Sequence, residues 1–446
     1  MPKEPDVIVV GAGIAGLTAA AKLGGSGLSV LLLEARDRVG GRIWTQRSPT
    51  HHVPIEFGAE FIHGLPPEIW QPLQSANARI SEVQGDSWCR DAQLCPCDFF
   101  DPVDHILKKM DDREPDESFL QFLERTVPDS DDSKQRKVKR HALNYVSGFN
   151  AADPALVGVH WLVKSMRAEE IIEGHRAFRS LNGYEDLIAI VKAQLDKSTV
   201  SLFTRTVVES IDWRLGHAKI TTNSSSGTSI FSSARVLLTL PLGVLQASVK
   251  GTGGVRFTPS LPKTKNWALD RLEMGKVIRL VLKFRDRFWA RISPVRNEKT
   301  LASMGFLFSQ DDWFPTWWTG MPAESPIITG WAPFRCAEQL SGKDRNFVVN
   351  RGIETLAQLL SVSVDLVAPL LEEAYFHDWQ TDPFSLGAYS YGKVQSDGAQ
   401  QALAAPLENT LFFAGEATDT GGHNGTVHGA IASGRRAADE ILKQLK

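Results

Sequence analysis

A short apolar run followed by three glycines at fixed spacing constrains the fold of this chain more than any other feature. Residues 7–10 (VIVV) are typical of a parallel strand that is buried on both faces. Gly11, Gly13 and Gly16 follow as GxGxxG and open a helix that is expected to run to about Leu23. This arrangement predicts an α/β fold with a site for a dinucleotide.

Each part of this unit has a physical task. Gly11 permits a tight turn, Gly13 lets the backbone approach a pyrophosphate, and Gly16 lets the helix pack closely on the strand. The amino end of the helix presents free N–H groups and a positive dipole to the phosphates. A second apolar run, residues 29–33, ends in Glu34, whose carboxylate can accept hydrogen bonds from ribose hydroxyls. The alternative is a glycine-rich turn that binds nothing.

Length and composition limit the other possibilities. The chain has 446 residues, which is too long for one ordinary core and favours two or three domains. The net charge of −3 gives no broad electrostatic reason to expect nucleic acid or an anionic membrane as a partner. No apolar run reaches the length of about 20 residues that a membrane-spanning helix needs. We therefore expect a soluble, cytoplasmic protein.

The chain contains four cysteines, Cys89, Cys95, Cys97 and Cys336. Three of them lie close together, but no second pair of cysteines or histidines follows at the spacing of a zinc site. We therefore expect neither a disulfide framework nor a structural metal, and a reducing compartment fits this cysteine usage better. The twelve tryptophans fit either a packed core or the lining of a hydrophobic ligand cavity.

The two ends of the chain share a strand–loop–helix character that the middle lacks. Charged segments with helical spacing fill the region from about residue 100 to 180, and alternation from 200 to 245 predicts an antiparallel meander. The expected fold is α/β, or α+β overall: a Rossmann-like nucleotide-binding domain built from discontinuous segments, with an inserted substrate domain of mixed helix and sheet. The predicted boundaries are 1–80, 180–255 and 387–446 for the first domain and 81–179 and 256–386 for the second.

Two further motifs carry a family resemblance. The runs EARDRVGGRIWT (34–45) and FFAGEATDTGGHNGTVHGAIASGRRAADEIL (412–442) resemble the flavin amine oxidase superfamily: monoamine oxidases, polyamine oxidases, L-amino acid oxidases and lysine-specific histone demethylases. Weaker matches lie between them, so the resemblance covers nearly the whole chain. It implies FAD as the cofactor. The family's covalent flavin link uses a cysteine where this chain has Ala388, so non-covalent FAD is expected.

The resemblance also implies where the FAD would lie. Glu34, Arg36 and Arg42 would contact its adenosine and pyrophosphate. Val208 would contact its adenine through the backbone, and Glu416 would bond its ribityl chain or the surroundings. The full expected set of cofactor-binding residues is Gly11, Gly13, Ile14, Ala15, Gly16, Glu34, Ala35, Arg36, Gly41, Arg42, Gly58, Ala59, Glu60, Phe61, Val208, Gly415, Glu416, Thr426 and Val427.

The same resemblance implies candidate catalytic residues. Tyr389 in GAYSYG takes the place of an aromatic ring beside the flavin. Thr426 takes the place of a second tyrosine of an aromatic cage, and a helix that begins near it would direct its positive dipole to the flavin. The cage is thus half-built unless a tryptophan supplies another wall. His63 occupies a position that faces the substrate channel in several polyamine oxidases, and the alternative is a structural histidine.

Arg279 departs from the family. The resemblance implies a lysine at this position, before Phe288 and Trp289, where it would hold a water beside the flavin N5 atom and support reaction with oxygen. An arginine keeps the charge, but it is larger and its pKa hardly moves. If Arg279 takes the lysine's place, flavin reduction by the amine should be faster than reoxidation by oxygen. Alternatively, strand alternation places Arg279 on a solvent face.

These residues together predict an FAD-dependent amine oxidase that acts on a primary or secondary amine, either a monoamine or a polyamine. The resemblance implies hydride transfer to flavin N5, hydrolysis of the imine to an aldehyde, and formation of hydrogen peroxide from oxygen. The expected partners are the small amine and oxygen or another electron acceptor, without metal, nucleic acid or membrane. The identity of the amine, the acceptor and the oligomeric state stay open.

Three other functions also stay open. A flavin desaturase similar to protoporphyrinogen oxidase would suit the aromatic content, but the Tyr389 segment and TVHGA (426–430) argue against it. An L-amino acid oxidase is disfavoured because residues 60–62 (EFI) follow Ala59 where an arginine would pair the substrate carboxylate. An FAD-binding scaffold with little catalysis has no support from a basic tail or a long heptad insertion.

Overall fold

The computed structural model describes residues 4–49, 53–129, 131–294 and 299–445. Helices predominate between residues 101 and 171, as the charged segments with helical spacing predict. The α-helices are Ile14–Gly25, Pro67–Ser75, Asp101–Leu107, Phe119–Thr126, Ser133–Phe149, Val159–Ile171, Glu185–Ala193, Leu242–Lys250, Lys263–Arg271, Arg335–Leu340, Arg345–Leu360, Val364–Val367, Ala399–Ala404 and Val427–Lys443. Short 3-10 helices are Phe288–Arg291, Leu301–Ser303, Ala368–Leu370 and Glu416–Thr418.

A five-stranded parallel sheet contains the apolar run near the amino end. Its strands, in spatial order, are Val200–Phe203, Val30–Leu33, Val7–Val10, Val236–Leu238 and Leu411–Phe413. All four residues of the central strand are buried, as the sequence predicts. The α/β fold is therefore confirmed, and one sheet gathers segments from both ends of the chain.

Side chains of the central strand alternate between two cores. Val7 and Val9 pack with helices on one side of the sheet, whereas Ile8 and Val10 pack toward an antiparallel sheet on the other. Full burial of each such side chain contributes roughly 1.5–3 kcal/mol to stability. Because both faces are covered, this strand reads as a continuous apolar run rather than an alternating one.

Two helices from opposite ends of the chain cover one face of the parallel sheet. Ile14–Gly25 and Val427–Lys443 pack against each other, and their backbones approach closely at Gly434. A Cβ atom at Gly434 would lie 2.3 Å from the carbonyl oxygen of Ala15. Even the smallest side chain at this position would therefore push the last helix away from the first.

The predicted antiparallel meander is confirmed, with one correction. The four strands of this sheet, in spatial order, are Gly227–Ser233, His217–Ser224, Val207–Arg214 and Arg256–Thr258. The first three form the antiparallel meander, and Arg256–Thr258 pairs with Val207–Arg214 in parallel. Val200–Phe203, which the alternation reads as part of the meander, belongs instead to the parallel sheet. Val200–Phe203 and Val207–Arg214 are separate strands because the chain turns between them at Arg205, whose φ is 52°.

A seven-stranded mixed sheet dominates the second half of the molecule. Its strands, in spatial order, are Leu371–Asp378, Val277–Phe284, Ile327–Pro333, Thr316–Thr319, Met304–Ser309, Asp86–Arg90 and Leu94–Pro96. The Val277–Phe284 strand is buried at all eight positions. Ile278, Leu280 and Leu282 pack in the core of this sheet, while Arg279 points the other way and lines a cavity.

Three small sheets complete the fold. They pair Leu272–Met274 with Ser390–Gly392, Thr45–Arg47 with Pro54–Glu56, and Ala177–Ser180 with both Ile62–His63 and Ile80–Glu82. The strands of the parallel sheet fall within the segments that the sequence assigns to the nucleotide-binding domain, and those of the mixed sheet fall within the substrate segments. Two of the small sheets, the one with Leu272–Met274 and the one with Ala177–Ser180, join the two sets of segments, so the exact boundaries stay a prediction.

Among the described residues, no single helix is both long and apolar enough to span a membrane. The bent pair Arg345–Leu360 and Val364–Leu370 reaches the necessary length and composition only when its two parts are counted together. Val348, Ile353 and Leu356 of this pair lie in the core of the mixed sheet.

The cysteines correct the sequence analysis. Cys89 and Cys97 form a disulfide, so the expectation of no disulfide is wrong for this pair. The hairpin of Asp86–Arg90 and Leu94–Pro96 brings the two residues together, a pairing that spacing alone does not reveal. Cysteine usage therefore no longer supports a reducing compartment, and the cytoplasmic location stays a prediction.

The disulfide gives a testable prediction. Replacing both cysteines, Cys89→Ser with Cys97→Ser, should lower the free energy of unfolding by about 2–3 kcal/mol, because a cross-link closing so short a loop restricts the unfolded chain by that amount. Chemical denaturation measures this change. Thiol titration of the denatured, unreduced protein should find Cys95 and Cys336 alone reactive. Reaction of all four cysteines would contradict the disulfide, and Cys336→Ser is a control that leaves the cross-link intact.

Candidate active site

One cavity of about 2230 Å³ is lined by residues of both the parallel and the mixed sheets. It brings together nearly every residue that the sequence singles out. The predicted residues in its lining are Gly11, Gly13, Ile14, Ala15, Glu34, Ala35, Arg36, Gly41, Arg42, Gly58, Ala59, Glu60, Phe61, His63, Val208, Arg279, Tyr389, Gly415, Glu416, Thr426 and Val427. Gly16 lies behind this surface.

The glycine loop has the shape of a phosphate cradle. Gly11 has a φ of +100°, and a Cβ at Gly16 would lie 1.9 Å from the carbonyl oxygen of Gly11, so the helix packs against the turn. Gly13 is the N-cap of Ile14–Gly25, and no side chain caps this helix. A Cβ at Gly13 would meet nothing within 4 Å. The backbone amides there are accessible to a pyrophosphate.

Glu34 shapes the same loop. One carboxylate oxygen accepts a hydrogen bond from the backbone N–H of Ala12, and the other accepts one from the N–H of Arg36, both at 2.8 Å. Burial raises the pKa of Glu34, against the opposing effect of these two hydrogen bonds. The carboxylate therefore holds the loop in place, in addition to the predicted role with ribose hydroxyls.

The guanidinium of Arg36 is tied to the inserted segment. It donates two hydrogen bonds to Asp382, at 2.8 and 2.7 Å, and one to Ser385 at 3.0 Å. Burial would raise the pKa of Asp382, but hydrogen bonds from His377 and Arg36 outweigh it and lower that pKa. Arg36 lines the cavity, but its guanidinium N–H groups already bond Asp382 and Ser385. Its expected contact with adenosine therefore stays a prediction.

Glu416 joins three distant segments. Its carboxylate accepts hydrogen bonds from Arg42 at 2.8 Å, from the Ser390 hydroxyl at 2.5 Å and from the backbone N–H of Gly425 at 2.9 Å. The carboxylate is thus already well bonded by the protein itself. The predicted bond to the ribityl chain would share an oxygen with these partners.

Thr426 begins the last helix. Its hydroxyl accepts a hydrogen bond from the N–H of Gly429 at 3.0 Å and donates one to the carbonyl of His423 at 2.7 Å. The predicted helix start is therefore confirmed. The hydroxyl is thus engaged in capping the helix.

Tyr389 is joined to a segment that the sequence analysis did not identify. Its hydroxyl donates to the backbone carbonyl of Phe149 at 2.8 Å, and the Phe149 ring lies 5.3 Å from the ring of His63 in an edge contact. Trp331 donates to the adjacent Gly148 carbonyl at 2.9 Å. Phe149, His63 and Trp331 thus line the same cavity as Tyr389.

His63 lines the cavity, in agreement with the channel-facing alternative. Burial lowers its pKa to about 4, so the imidazole is neutral at neutral pH. It lies between the rings of Phe149 and Phe61, at 5.3 and 6.0 Å. At neutral pH it can accept one hydrogen bond and donate another, and it carries no charge.

Arg279 is buried, with only 4% of its surface exposed, so the alternative of a solvent face is wrong. Strand alternation gave the wrong prediction of a solvent face because the Val277–Phe284 strand is covered on both faces. The guanidinium donates to the carbonyl of Gly58 at 2.6 Å and forms an ion pair with Glu60. Burial lowers the pKa of Arg279 to about 10, which leaves it charged at neutral pH.

Glu60 is held by more than Arg279. Arg179 pairs with it at 2.5 Å, and the indole N–H of Trp318 donates to it at 3.1 Å. Glu60 is among the expected cofactor-binding residues, and the structure engages its carboxylate with two arginines. One of them, Arg179, begins RSLNGYEDLI (179–188), one of the weaker family matches, but nothing in the sequence indicates that it pairs with a residue so distant.

The tryptophans are divided between the cavity and the packed core. Trp161, Trp318, Trp331 and Trp379 line it, whereas Trp88, Trp289 and Trp317 are packed in the core. Both expectations for the tryptophans therefore apply. Within the part of the chain that the structure describes, no group of three or more His, Cys, Asp and Glu side chains could hold a metal ion.

The sequence is similar to those of known proteins. The sequence profile described as "Flavin containing amine oxidoreductase" matches residues 14–94 and 104–442. The chain is 29% identical to Polyamine oxidase 4 of Oryza sativa subsp. japonica, over 99% of this chain and 89% of that protein. It is 26% identical to Lysine-specific histone demethylase 2 of Homo sapiens, over 99% of this chain and 54% of that protein.

Solved structures share the fold. A putrescine oxidase bound to putrescine superposes with a TM-score of 0.80 at 19% identity, with 99% of each chain covered. Cyclohexylamine oxidase from Brevibacterium oxydans IH-35A superposes with a TM-score of 0.77 at 18% identity, covering 99% of this chain and 100% of that one. Since the family profile matches most of its length, this chain belongs to the flavin-containing amine oxidoreductases.

Proposed function

We propose that this protein oxidises an aliphatic primary or secondary amine by hydride transfer to FAD. The observation that carries the proposal is the wall of Tyr389, Phe149 and His63 in the same cavity as the glycine loop. Because burial keeps His63 neutral, this wall carries no positive charge that would repel an amine.

A linear diamine or polyamine is the substrate class that we favour. One relative is named a polyamine oxidase, and one protein of the same fold is described with putrescine bound. The cavity is lined by more carboxylates than basic side chains, among them Asp98, Asp101 and Asp153. An excess of negative charge in a cleft raises the local concentration of cationic ligands.

The residues present fit the FAD that the family contains. The uncapped amino end of Ile14–Gly25 would bind the pyrophosphate, and Glu34 would hold a ribose. Bound FAD supplies an acceptor for the hydride that leaves the carbon next to the amine nitrogen. Tyr389 would orient that carbon, and neutral His63 would accept a hydrogen bond from an amine N–H. The imine product is hydrolysed by water to an aldehyde and ammonia or a smaller amine.

The pairing of the arginines disfavours an amino acid substrate. A substrate carboxylate near Glu60 and the aromatic wall would need a guanidinium group that is free to bind it. Arg279 lines the cavity there, Arg179 is half-buried next to it, and Glu60 engages both of them. Binding a second carboxylate there would crowd like charges, which costs free energy.

We also propose that oxygen reoxidises the reduced flavin slowly, with hydrogen peroxide as the product. The Arg279 guanidinium is fixed by the Gly58 carbonyl and by Glu60. Its bulk and fixed orientation leave it poorly suited to hold a mobile water. An artificial electron acceptor should therefore raise turnover.

Glu34 tests the cofactor site. Glu34→Gln should raise the FAD dissociation constant about 10- to 100-fold, because a hydrogen bond to a charged, buried group is worth roughly 1.5–3 kcal/mol. Fluorescence titration of the apoprotein with FAD measures this constant. Asp37→Asn, a change at an exposed carboxylate three residues away, is the control. An unchanged constant in Glu34→Gln would remove Glu34 from the cofactor site.

Tyr389 tests the amine site. Tyr389→Ala should lower kcat/KM for a good amine on the order of 100-fold, because the ring orients the reacting carbon, while FAD content stays the same. Tyr389→Phe keeps the ring and loses only the hydrogen bond to Phe149, so a decrease of about 2- to 10-fold is expected. Anaerobic bleaching of the flavin by amines provides the measurement. Wild-type flavin that no amine bleaches would favour the desaturase alternative.

Arg279 tests the electron acceptor. Arg279→Lys should speed the oxygen half-reaction more than reduction by the amine, because a smaller ammonium leaves room for a water. Stopped-flow measurement of the two half-reactions separates the effects. Lys283→Arg, on the same strand but paired with Glu372 and Glu373, is the matched control. Equal rates in wild type and Arg279→Lys would exclude Arg279 from control of the oxygen step.

A further inference from the structure

The carboxylate of Asp382 lies at the centre of a hydrogen-bond network at the Arg36 end of the cavity. It accepts two hydrogen bonds from Arg36, at 2.8 and 2.7 Å, and one from the Phe384 backbone N–H at 2.9 Å. A further hydrogen bond joins it to His377 Nε2 at 2.7 Å. These four bonds occupy the accepting positions of a carboxylate. Arg36 and Phe384 line the cavity, whereas Asp382 and His377 do not belong to its lining.

The network also determines which nitrogen of His377 carries a proton. Burial acts to raise the pKa of Asp382, but the hydrogen bonds from His377 and Arg36 lower that pKa well below its usual range, so the carboxylate is ionised. An ionised carboxylate only accepts hydrogen bonds, so His377 Nε2 carries the proton and donates it. The His377 ring makes edge contacts with Trp44 and Trp379, with ring centroids 5.2 and 4.4 Å away. His377 is therefore a donor with a fixed orientation.

Arg36 is held at both its side chain and its backbone. Its guanidinium lies over the ring of Phe384, 5.4 Å from the centroid. Its backbone carbonyl accepts a hydrogen bond at 2.8 Å from the N–H of Arg205, two residues before the strand Val207–Arg214. That strand contains Val208, which lines the cavity and is expected to contact the adenine of FAD. The guanidinium is thus fixed where the adenosine is expected.

We propose that His377 is a positioning residue for the adenosine of FAD: it orients Asp382, and Asp382 directs the guanidinium of Arg36 toward that end of the cofactor. Three N–H groups of Arg36 are bonded to Asp382 and Ser385, and the others bind the adenosine. Without the His377 donor, the Asp382 carboxylate can turn and carry the guanidinium with it. This inference concerns cofactor binding and does not depend on which amine is oxidised.

His377→Phe tests this role, because it keeps a ring against Trp44 and Trp379 and removes only the donor. It should raise the dissociation constant of FAD about 5- to 20-fold, since a misplaced Arg36 loses hydrogen bonds to the adenosine. Dilution of the holoenzyme, followed by the fluorescence of released FAD, measures this constant. ADP has the adenosine and the pyrophosphate but no flavin, so its inhibition constant as a competitor of FAD should rise by the same factor. The absorption spectrum of the bound flavin should stay the same.

Two further variants separate the donor from the rest of the side chain. His377→Gln should stay within about twofold of wild type, because its amide N–H can replace Nε2 as the donor to Asp382. His377→Ala removes the donor without filling the space of the ring, and it should show the same loss as His377→Phe. Gln380→Ala is the matched control, because Gln380 lies in the same loop but bonds the carbonyl of Ala337 at 3.2 Å. It should change neither constant.

A double variant shows whether the effect of His377 passes through Arg36. In an Arg36→Ala background, His377→Ala should change the FAD dissociation constant less than about twofold, because both residues act on one contact. Additive effects of the two substitutions would overturn the proposal. Equal losses in His377→Ala and His377→Gln, unchanged FAD affinity in His377→Ala, or unchanged competition by ADP would overturn it as well.

Discussion

The arrangement of the cavity depends on one buried carboxylate. Glu416 accepts hydrogen bonds from Arg42, Ser390 and Gly425, residues from three distant segments of the chain. Ser390 directly follows Tyr389, so the same contact positions the aromatic wall. Removing one partner of a buried ion pair costs roughly 3–5 kcal/mol, because the other charge stays buried without compensation. The segment of Arg42, the segment of Tyr389 and the turn before the last helix therefore hold their relative positions through a single side chain.

The cavity is organised by which charges are compensated. The positive charges of Arg36 and Arg279 are met by Asp382 and Glu60. Burial keeps His63 uncharged. A ligand in the cavity therefore meets an uncharged His63 and arginines whose charge is compensated, in a lining that has more carboxylates than basic side chains. Electrostatic interactions strengthen where water is excluded, so this balance of charge favours cations.

The sequence predicts well what depends on local physics. The Val7–Val10 run and the glycine loop follow from neighbouring residues, the helix start at Thr426 follows from the family resemblance, and the structure has all three in place. It predicts poorly what depends on pairing across the chain. The contacts of Glu60 with Arg179 and Arg279 join residues more than a hundred positions apart, and periodicity carries no information about them. The same reason explains why alternation suggested a solvent face for Arg279: covering by a second layer is a tertiary event.

The strands of the parallel sheet come from distant parts of the chain, so they leave the ribosome at different times during synthesis. Val7–Val10 leaves the ribosome long before Leu411–Phe413, the strand that covers the edge of Val236–Leu238. Until then that edge presents unpaired backbone groups on an apolar strand, which is a template for pairing with other chains. The sheet thus stays open from the synthesis of Val236–Leu238 until that of Leu411–Phe413. Any stall before residue 411 yields a fragment that chaperones and proteases must handle, however stable the finished protein is.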